Sequence, residues 1–222
     1  MQRFNFEIQI ETEDGGSYHY FTGNGSCEYF DLIAEFRENR LFAEIAPKKT
    51  LKIISAAANM PWECKKSHRI LLNGYQSWTD TRELSLSDKM YGLQPVPKRV
   101  RTDFVFGAYG DYPFVEYSEK KGEFHGFSFG YVRQGENYNF VGSLDESTGY
   151  TILKYSGKNQ ILSMEKDCEG LEISKNYPIL DVAILSGSYD EVFDTWFAMM
   201  EKYHGYKKPF AKPMCGYTSW YN

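Results

Sequence analysis

The chain has 222 residues, enough for one large all-β domain or two modest ones, with 25% charged residues and a formal net charge of -5. That acidic balance, with the lysines and arginines dispersed, argues against nucleic acid as a partner, which needs a basic stripe. No apolar run approaches the roughly 20 residues that cross a bilayer, and Glu7 interrupts what would have to be the apolar part of a secretory leader. Membrane association is therefore not expected, and the expected location is cytoplasmic.

In chain order, Phe4, Phe6, Ile8 and Ile10 alternate with polar residues, the pattern of a half-buried strand. Asp14-Gly15-Gly16 predicts a turn and Ser17 to Phe21 a return strand. Two more strands are expected at Leu32 to Glu38 and Leu41 to Ala46, joined through Asn39 and Arg40 and closed by Pro47. Leu51 to Ala58 carries alanines that also suit a helix, but Ile53-Ile54 and its short length favour a strand. Residues 60 to 100 are broken by prolines and by Asn73-Gly74 into strand and loop. Short strands resume at Arg101 to Phe106, Phe124 to Tyr131, Asn137 to Val141, Thr151 to Tyr155, Ile161 to Met164, Leu171 to Ile173 and Ile179 to Leu185. Within Phe124 to Tyr131, the small residues Gly126, Ser128 and Gly130 alternate with Phe127, Phe129 and Tyr131, which suits a strand in tight contact with a neighbour.

So many short strands separated by turn residues predict an antiparallel β-sandwich. The period then changes. Ser188 and Glu191 are spaced as a capping box, and Val192, Phe193, Trp196, Phe197 and Met200 recur at helical spacing through Tyr203. Phe193 and Trp196 are the expected anchors of this helix against a sheet or a domain joint. Lys207 to Pro213 reads as a proline-marked joint leaving the domain, and Met214 to Trp220 as the first strand of something further.

Few residues select a chemistry. Cys27, Cys64, Cys168 and Cys215 are far apart without C-x-x-C spacing, so reduced thiols are expected and a metal site is not. His19, His68, His125 and His204 have no ligand-spaced partners. Among the carboxylates, Asp80 and Glu83 tempt because they flank Trp78, yet a solvated turn with Arg82 neutralising one of them is the simpler account. The aromatic content of 17% fits a sheet-rich fold, and also a surface that meets sugar rings or a partner domain.

One pentapeptide pattern occurs twice, as Gly74-Tyr75-Gln76-Ser77-Trp78 and as Gly216-Tyr217-Thr218-Ser219-Trp220. The stretches Leu71 to Glu83 and Lys212 to Asn222, in this order and spacing, resemble the retaining α-galactosidases of glycoside hydrolase family 36, the melibiase or raffinose-hydrolase group. The resemblance covers the whole chain as the amino-terminal portion of such an enzyme. It implies a mainly β fold: a large sandwich of the supersandwich type over 1-187, a connecting helix and linker over 188-212, and the start of a (β/α)8 barrel over 213-222.

By the same resemblance, Trp78 reaches toward the sugar subsite from a loop shaped by Asn73, Tyr75 and Gln76. Trp220 and Tyr217 fall on the first barrel strand, where Tyr217 replaces the family's more usual Trp. The family's two catalytic aspartates lie on later barrel strands, so no residue here is expected to be catalytic and the 222 residues alone should not turn over substrate. No cofactor is implied. The implied partners are α-galactosides, the protein's own barrel and further copies of the chain. Read without the resemblance, Trp78 is more simply a core or interdomain anchor than a sugar platform, and the rival reading of the chain is a self-contained carbohydrate-binding or protein-interaction sandwich.

Overall fold

The computed structural model describes residues 4–12, 15–75, 79–90, 111, 115, 118 and 120–206. Fourteen strands form among them. The first seven are β1 (Asn5–Thr12), β2 (Gly15–Thr22), β3 (Gly25–Ser26), β4 (Phe30–Arg37), β5 (Arg40–Pro47), β6 (Leu51–Pro61) and β7 (Arg69–Leu72). The second seven are β8 (Glu123–Phe127), β9 (Phe129–Gln134), β10 (Asn137–Ser143), β11 (Thr151–Ser156), β12 (Ile161–Lys166), β13 (Leu171–Ile173) and β14 (Tyr177–Gly187). Helix α1 (Tyr189–His204) comes after them.

The strands make two packed antiparallel sheets. Sheet I runs β2-β1-β6-β12-β11-β8, with β13 also on β6, and sheet II runs β3-β4-β5-β14-β10-β9-β7. The alternation in the sequence decides which side chains go inside. Phe6, Ile8 and Ile10 of β1 meet Leu32 of β4, Leu41 and Ile45 of β5 and Val182 of β14 in one core, all nearly inaccessible to water. Ala56 and Ala58 join them from β6, so the alanine run is a strand whose small side chains sit under the facing sheet. Opposite Gln9 and Ile10 of β1, β6 carries one extra residue, Ile54, and this bulge carries the inward phase of β6 from Leu51 and Ile53 to Ala56 and Ala58.

Between β4 and β5 the chain turns at Glu38 and Asn39, both with positive φ (51° and 63°), leaving Arg37 paired with Arg40. This is a two-residue hairpin whose twist matches its strands. The joint thus sits one residue earlier than the Asn39-Arg40 expected from sequence.

A larger correction concerns residues 124–131. These are not one strand. Ser128, at φ 64°, breaks the run, so that β8 belongs to sheet I and β9 to sheet II. The Ser128 backbone N–H donates to Thr151 O (2.9 Å) on sheet I, while its carbonyl accepts from Ser143 N–H (2.6 Å) on sheet II. The expected close contact is present and its agent is β7. A Cβ on Gly126 would lie 2.6 Å from Leu72 Cβ and 2.7 Å from Asn73 O.

Helix α1 forms where the period predicted it. The Glu191 carboxylate accepts hydrogen bonds from both the N–H and the hydroxyl of Ser188, each at 2.8 Å, and Gly205 ends the helix with φ 68°. Its apolar stripe lies on the outer face of sheet II. Val192, Trp196 and Met199 pack with Tyr131, Phe140, Leu144, Ala183 and Leu185, and Phe193 closes on Phe129 and Phe140 at ring distances of 6.0 and 5.2 Å. The Trp196 indole N–H donates to Ser143 O at 2.8 Å, so this buried ring leaves no polar atom unmet. At the far end of the helix, Asp181 holds Arg40 in a two-pronged ion pair (2.7 Å each) and also meets His204 Nε2 at 2.8 Å.

The strand expected at Arg101 to Phe106 and the expected joint and strand beyond 206 lie outside the described residues. No helix among the described residues is long and apolar enough to cross a membrane.

Candidate functional site

The loop after β7 carries the first pentapeptide, and it is bound to both sheets before it leaves them. Asn73 N–H donates to Phe129 O (3.0 Å) at the start of β9, and Asn73 O accepts from Phe127 N–H (2.6 Å) at the end of β8. The Asn73 side-chain amide adds a bond to Phe127 O at 3.3 Å. Asn73 thus occupies the corner where the chain changes sheets. Gly74 lets the two limbs of the loop touch over a bare backbone. A Cβ there would fall 2.5 Å from Thr79 Cγ2 and 2.5 Å from Thr81 Oγ1.

Tyr75 stands at the tip of this corner with 37% of its surface exposed. Its ring packs on Phe127 (5.3 Å between centroids) and edge-on to Tyr150 (4.9 Å), and the Tyr75 and Tyr150 hydroxyls are 2.8 Å apart. That shared hydrogen bond pushes the Tyr75 phenol above its ordinary pKa. Two phenol rings tied at their tips make a surface with an apolar body and a polar rim. The chain on either side of Tyr150 is held by buried charge. Glu146 accepts from the Thr151 N–H at 2.7 Å, and the Lys166 ammonium donates to Thr148 Oγ1 and Gly149 O at 2.8 Å each. Burial raises the Glu146 pKa and lowers that of Lys166.

Beneath the loop lies a carboxylate with no solvent exposure. Asp111 Oδ1 accepts from the Tyr75 N–H (3.2 Å) and the Thr79 hydroxyl (2.7 Å), and Oδ2 faces His125 Nε2 at 3.2 Å. His125 is itself 4% exposed on β8. A histidine–carboxylate pair so enclosed is suited to holding structure rather than to moving protons into a bound substrate.

The tempting carboxylates beside the motif are both committed to arginine. Arg82 Nε binds Asp80 at 3.0 and 3.1 Å, as the sequence suggested. Glu83 pairs with Arg133 of β9 (Nε to Oε1, 2.6 Å) and accepts from the Tyr131 hydroxyl at 3.2 Å, and the Arg133 guanidinium holds the Glu83 carboxyl below its ordinary pKa.

Of the residues singled out from sequence, the structure brings Asn73 and Tyr75 together at the corner and places Phe193 and Trp196 on the side of helix α1 that packs against sheet II. Gln76, Trp78, Tyr217 and Trp220 lie outside the described residues. Sequence reasoning missed Tyr150, Asp111, His125 and Thr79 as partners of the loop. They are 75, 36, 50 and 4 residues from Tyr75, and no spacing rule connects them. Only the density of turn residues around Gly149-Tyr150 and Gly110-Asp111 hints at loops that could meet.

Among the described residues no three or more His, Cys, Asp or Glu side chains gather as metal ligands. Cys27, Cys64 and Cys168 are free thiols, and burial pushes Cys64 up to about 11 and Cys168 to about 12, which leaves both unreactive near neutral pH. No protein-family model matches this chain, and no curated protein is detectably similar to it.

Proposed function

We propose that the chain is the non-catalytic amino-terminal part of a retaining α-galactosidase similar to glycoside hydrolase family 36, and that the loop over 73–79 forms part of the wall of its sugar pocket. The observation that carries this reading is the polar-rimmed pair of exposed Tyr75 and half-buried Tyr150 at the corner of the sandwich. It is supported by the two pentapeptides, whose order and spacing resemble that family.

In this reading Trp78 stacks on the apolar side of a pyranose while Asn73, Tyr75 and Gln76 hold the loop, and Tyr217 and Trp220 start the catalytic barrel. Two carboxyl groups about 5–5.5 Å apart, on later barrel strands, perform the double displacement: one attacks the anomeric carbon and the other protonates the departing oxygen. The sandwich contributes scaffold, contacts between copies and substrate fit, and it needs no cofactor. The free thiols are in keeping with a cytoplasmic enzyme.

The test compares two proteins on a 4-nitrophenyl α-galactoside: the 222 residues alone, and the same residues continued by whatever their natural reading frame encodes. The expected result is turnover with retained anomeric configuration only in the longer protein, with KM raised by Trp78→Ala. A reading frame without strand-end aspartates after residue 222, or a longer protein inert on α-galactosides, overturns the enzyme reading. A self-contained sugar-binding sandwich would then be tested by calorimetric titration of the chain with free galactosides.

A further inference from the structure

Four inward-facing rows of side chains run out together at one end of the sandwich, two of them in aromatic rings and two in polar groups. On β10, Val141 is in the core and Asn139 takes the next inward position. On β14, Val182 and Ile184 are followed by Ser186, the register partner of Asn139. On β4, Leu32 and Ala34 are followed by Phe36, and beyond Met60 of β6 comes Trp62. A cleft of about 430 Å³ opens among these residues, and Asn39 of the β4–β5 turn also lines it. We propose that this cleft binds a neutral sugar ring. The site is separate from the Tyr75 corner and does not depend on the reading above.

Polar groups at inward positions are unfavourable unless their hydrogen bonds are made. Here they are made only in part. Ser186 Oγ donates to Asn139 Oδ1 at 2.8 Å, which leaves the Asn139 Nδ2 donors for another acceptor. Trp62 is 6% exposed, yet its indole N–H has no hydrogen-bond partner among the described residues. The N–H of Trp196, by contrast, is accepted by Ser143 O. A buried tryptophan N–H ordinarily finds such a partner, so the one at Trp62 needs an acceptor from elsewhere. Asn39, at φ 63°, accepts from the Ile184 N–H at 2.8 Å through its carbonyl, which pins the turn to β14. Its side-chain amide makes no bond among the described residues.

The chemistry of the lining selects the class of ligand. None of the described residues around the cleft is charged. An ion entering it would lose water without gaining a counter-charge, so the cleft favours an uncharged guest. The guest must also answer N–H donors, a hydroxyl and the rings of Trp62 and Phe36, the latter 41% exposed. A pyranose has both parts: C–H groups that lie against an aromatic ring, and hydroxyls at its edge that accept and donate. The volume falls within the roughly 300–1,000 Å³ that small-molecule sites occupy.

The experiment titrates the 222-residue chain with methyl α-galactopyranoside, with methyl α-glucopyranoside and with glucuronate as the charged counterpart, followed by ¹H–¹⁵N NMR. At least one of the two neutral glycosides should shift the Trp62 indole N–H saturably, with a Kd of about 1–10 mM, while the Trp196 indole holds still. Glucuronate should bind about tenfold more weakly or not at all. Asn139→Ala should weaken the binding by about fivefold, the share of one hydrogen bond. Asn39→Gly, which suits the positive φ at that position, should weaken it in the same sense and serves alone if Asn139→Ala does not fold. A Trp62 indole that does not respond to either neutral glycoside at about 50 mM overturns the proposal. So does glucuronate binding as tightly as the neutral rings, or an affinity unchanged in the folded variants.

Discussion

Two regions of the sandwich are closed by opposite means. Sheet II is roofed by helix α1, an apolar lid in which Val192, Trp196 and Met199 meet Phe140 and Leu185. The corner that carries Tyr75 and Tyr150 is instead held by directed polar bonds, a polar roof beside the small apolar cluster of Val115, Phe127 and Ile152: Asp111 and His125 under Tyr75, and Glu146 and Lys166 on residues 148, 149 and 151 around Tyr150. An apolar lid is held by area and tolerates small shifts. A polar roof is held by a few directed bonds, and each bond specifies where a particular residue stands.

If that contrast is right, damage to the lid should cost global stability. Trp196→Ala removes a buried ring and leaves the Ser143 carbonyl without its indole donor, and should destabilise the chain by about 3–5 kcal/mol in urea titration. A loss below about 1 kcal/mol would show that the lid is not part of the cooperative unit. Damage to the roof should be smaller and more local. Asp111→Leu removes the acceptor of the Tyr75 N–H and of the Thr79 hydroxyl, and should cost about 1–3 kcal/mol by the same measurement.

At the entrance of the lid, Glu191→Ala removes the acceptor of both Ser188 bonds and should lower the urea midpoint by less than the changes at Trp196 and Asp111, with loss of helical circular dichroism confined to a turn. The smallest effect concerns pH. Glu83 titrates lower in the folded chain than in the unfolded one because of Arg133, so its contribution is complete above the ordinary carboxylate range and disappears as the pH falls through its lowered folded value. Glu83→Gln should flatten that part of the acid limb of a stability–pH curve while leaving the neutral region's slope unchanged. A mutant whose acid limb superimposes on wild type would show that Arg133 does not set the titration.

The lid was legible in the sequence and the roof was not, and the reason is range. Helix α1 is written in contacts three and four residues apart together with a capping box, so Ser188 to Tyr203 predicts it without knowledge of the rest. Strand β1 is equally plain, because Phe4 to Ile10 alternates with the pleat. The roof depends on meetings such as Tyr75 with Tyr150 and Tyr75 with Asp111, between loops whose residues resemble solvated turns when read alone.

The change of sheet at Ser128 was hidden for a different reason. Small and aromatic residues alternate straight through it, and a serine at positive φ leaves no mark that a glycine would. Phe127 thus faces outward from sheet I while Phe129 and Tyr131, apparently in phase with it, belong to the layer under the helix. The pattern was real, but it belonged to two strands.

That one-residue change of sheet also constrains how the chain could be re-cut. At Ser128 the backbone serves both layers at once, through Thr151 on one and Ser143 on the other. At the opposite edge, β2 passes into β3 with only two residues between them. The sandwich is thereby stitched along both sides, like a flattened tube rather than two loose plates. Circular permutants that open the tube at residue 128 would have to rebuild a seam from free ends. Permutants opened at the β9–β10 turn, where Gly135 projects with nothing near its Cβ position, would keep both seams sewn.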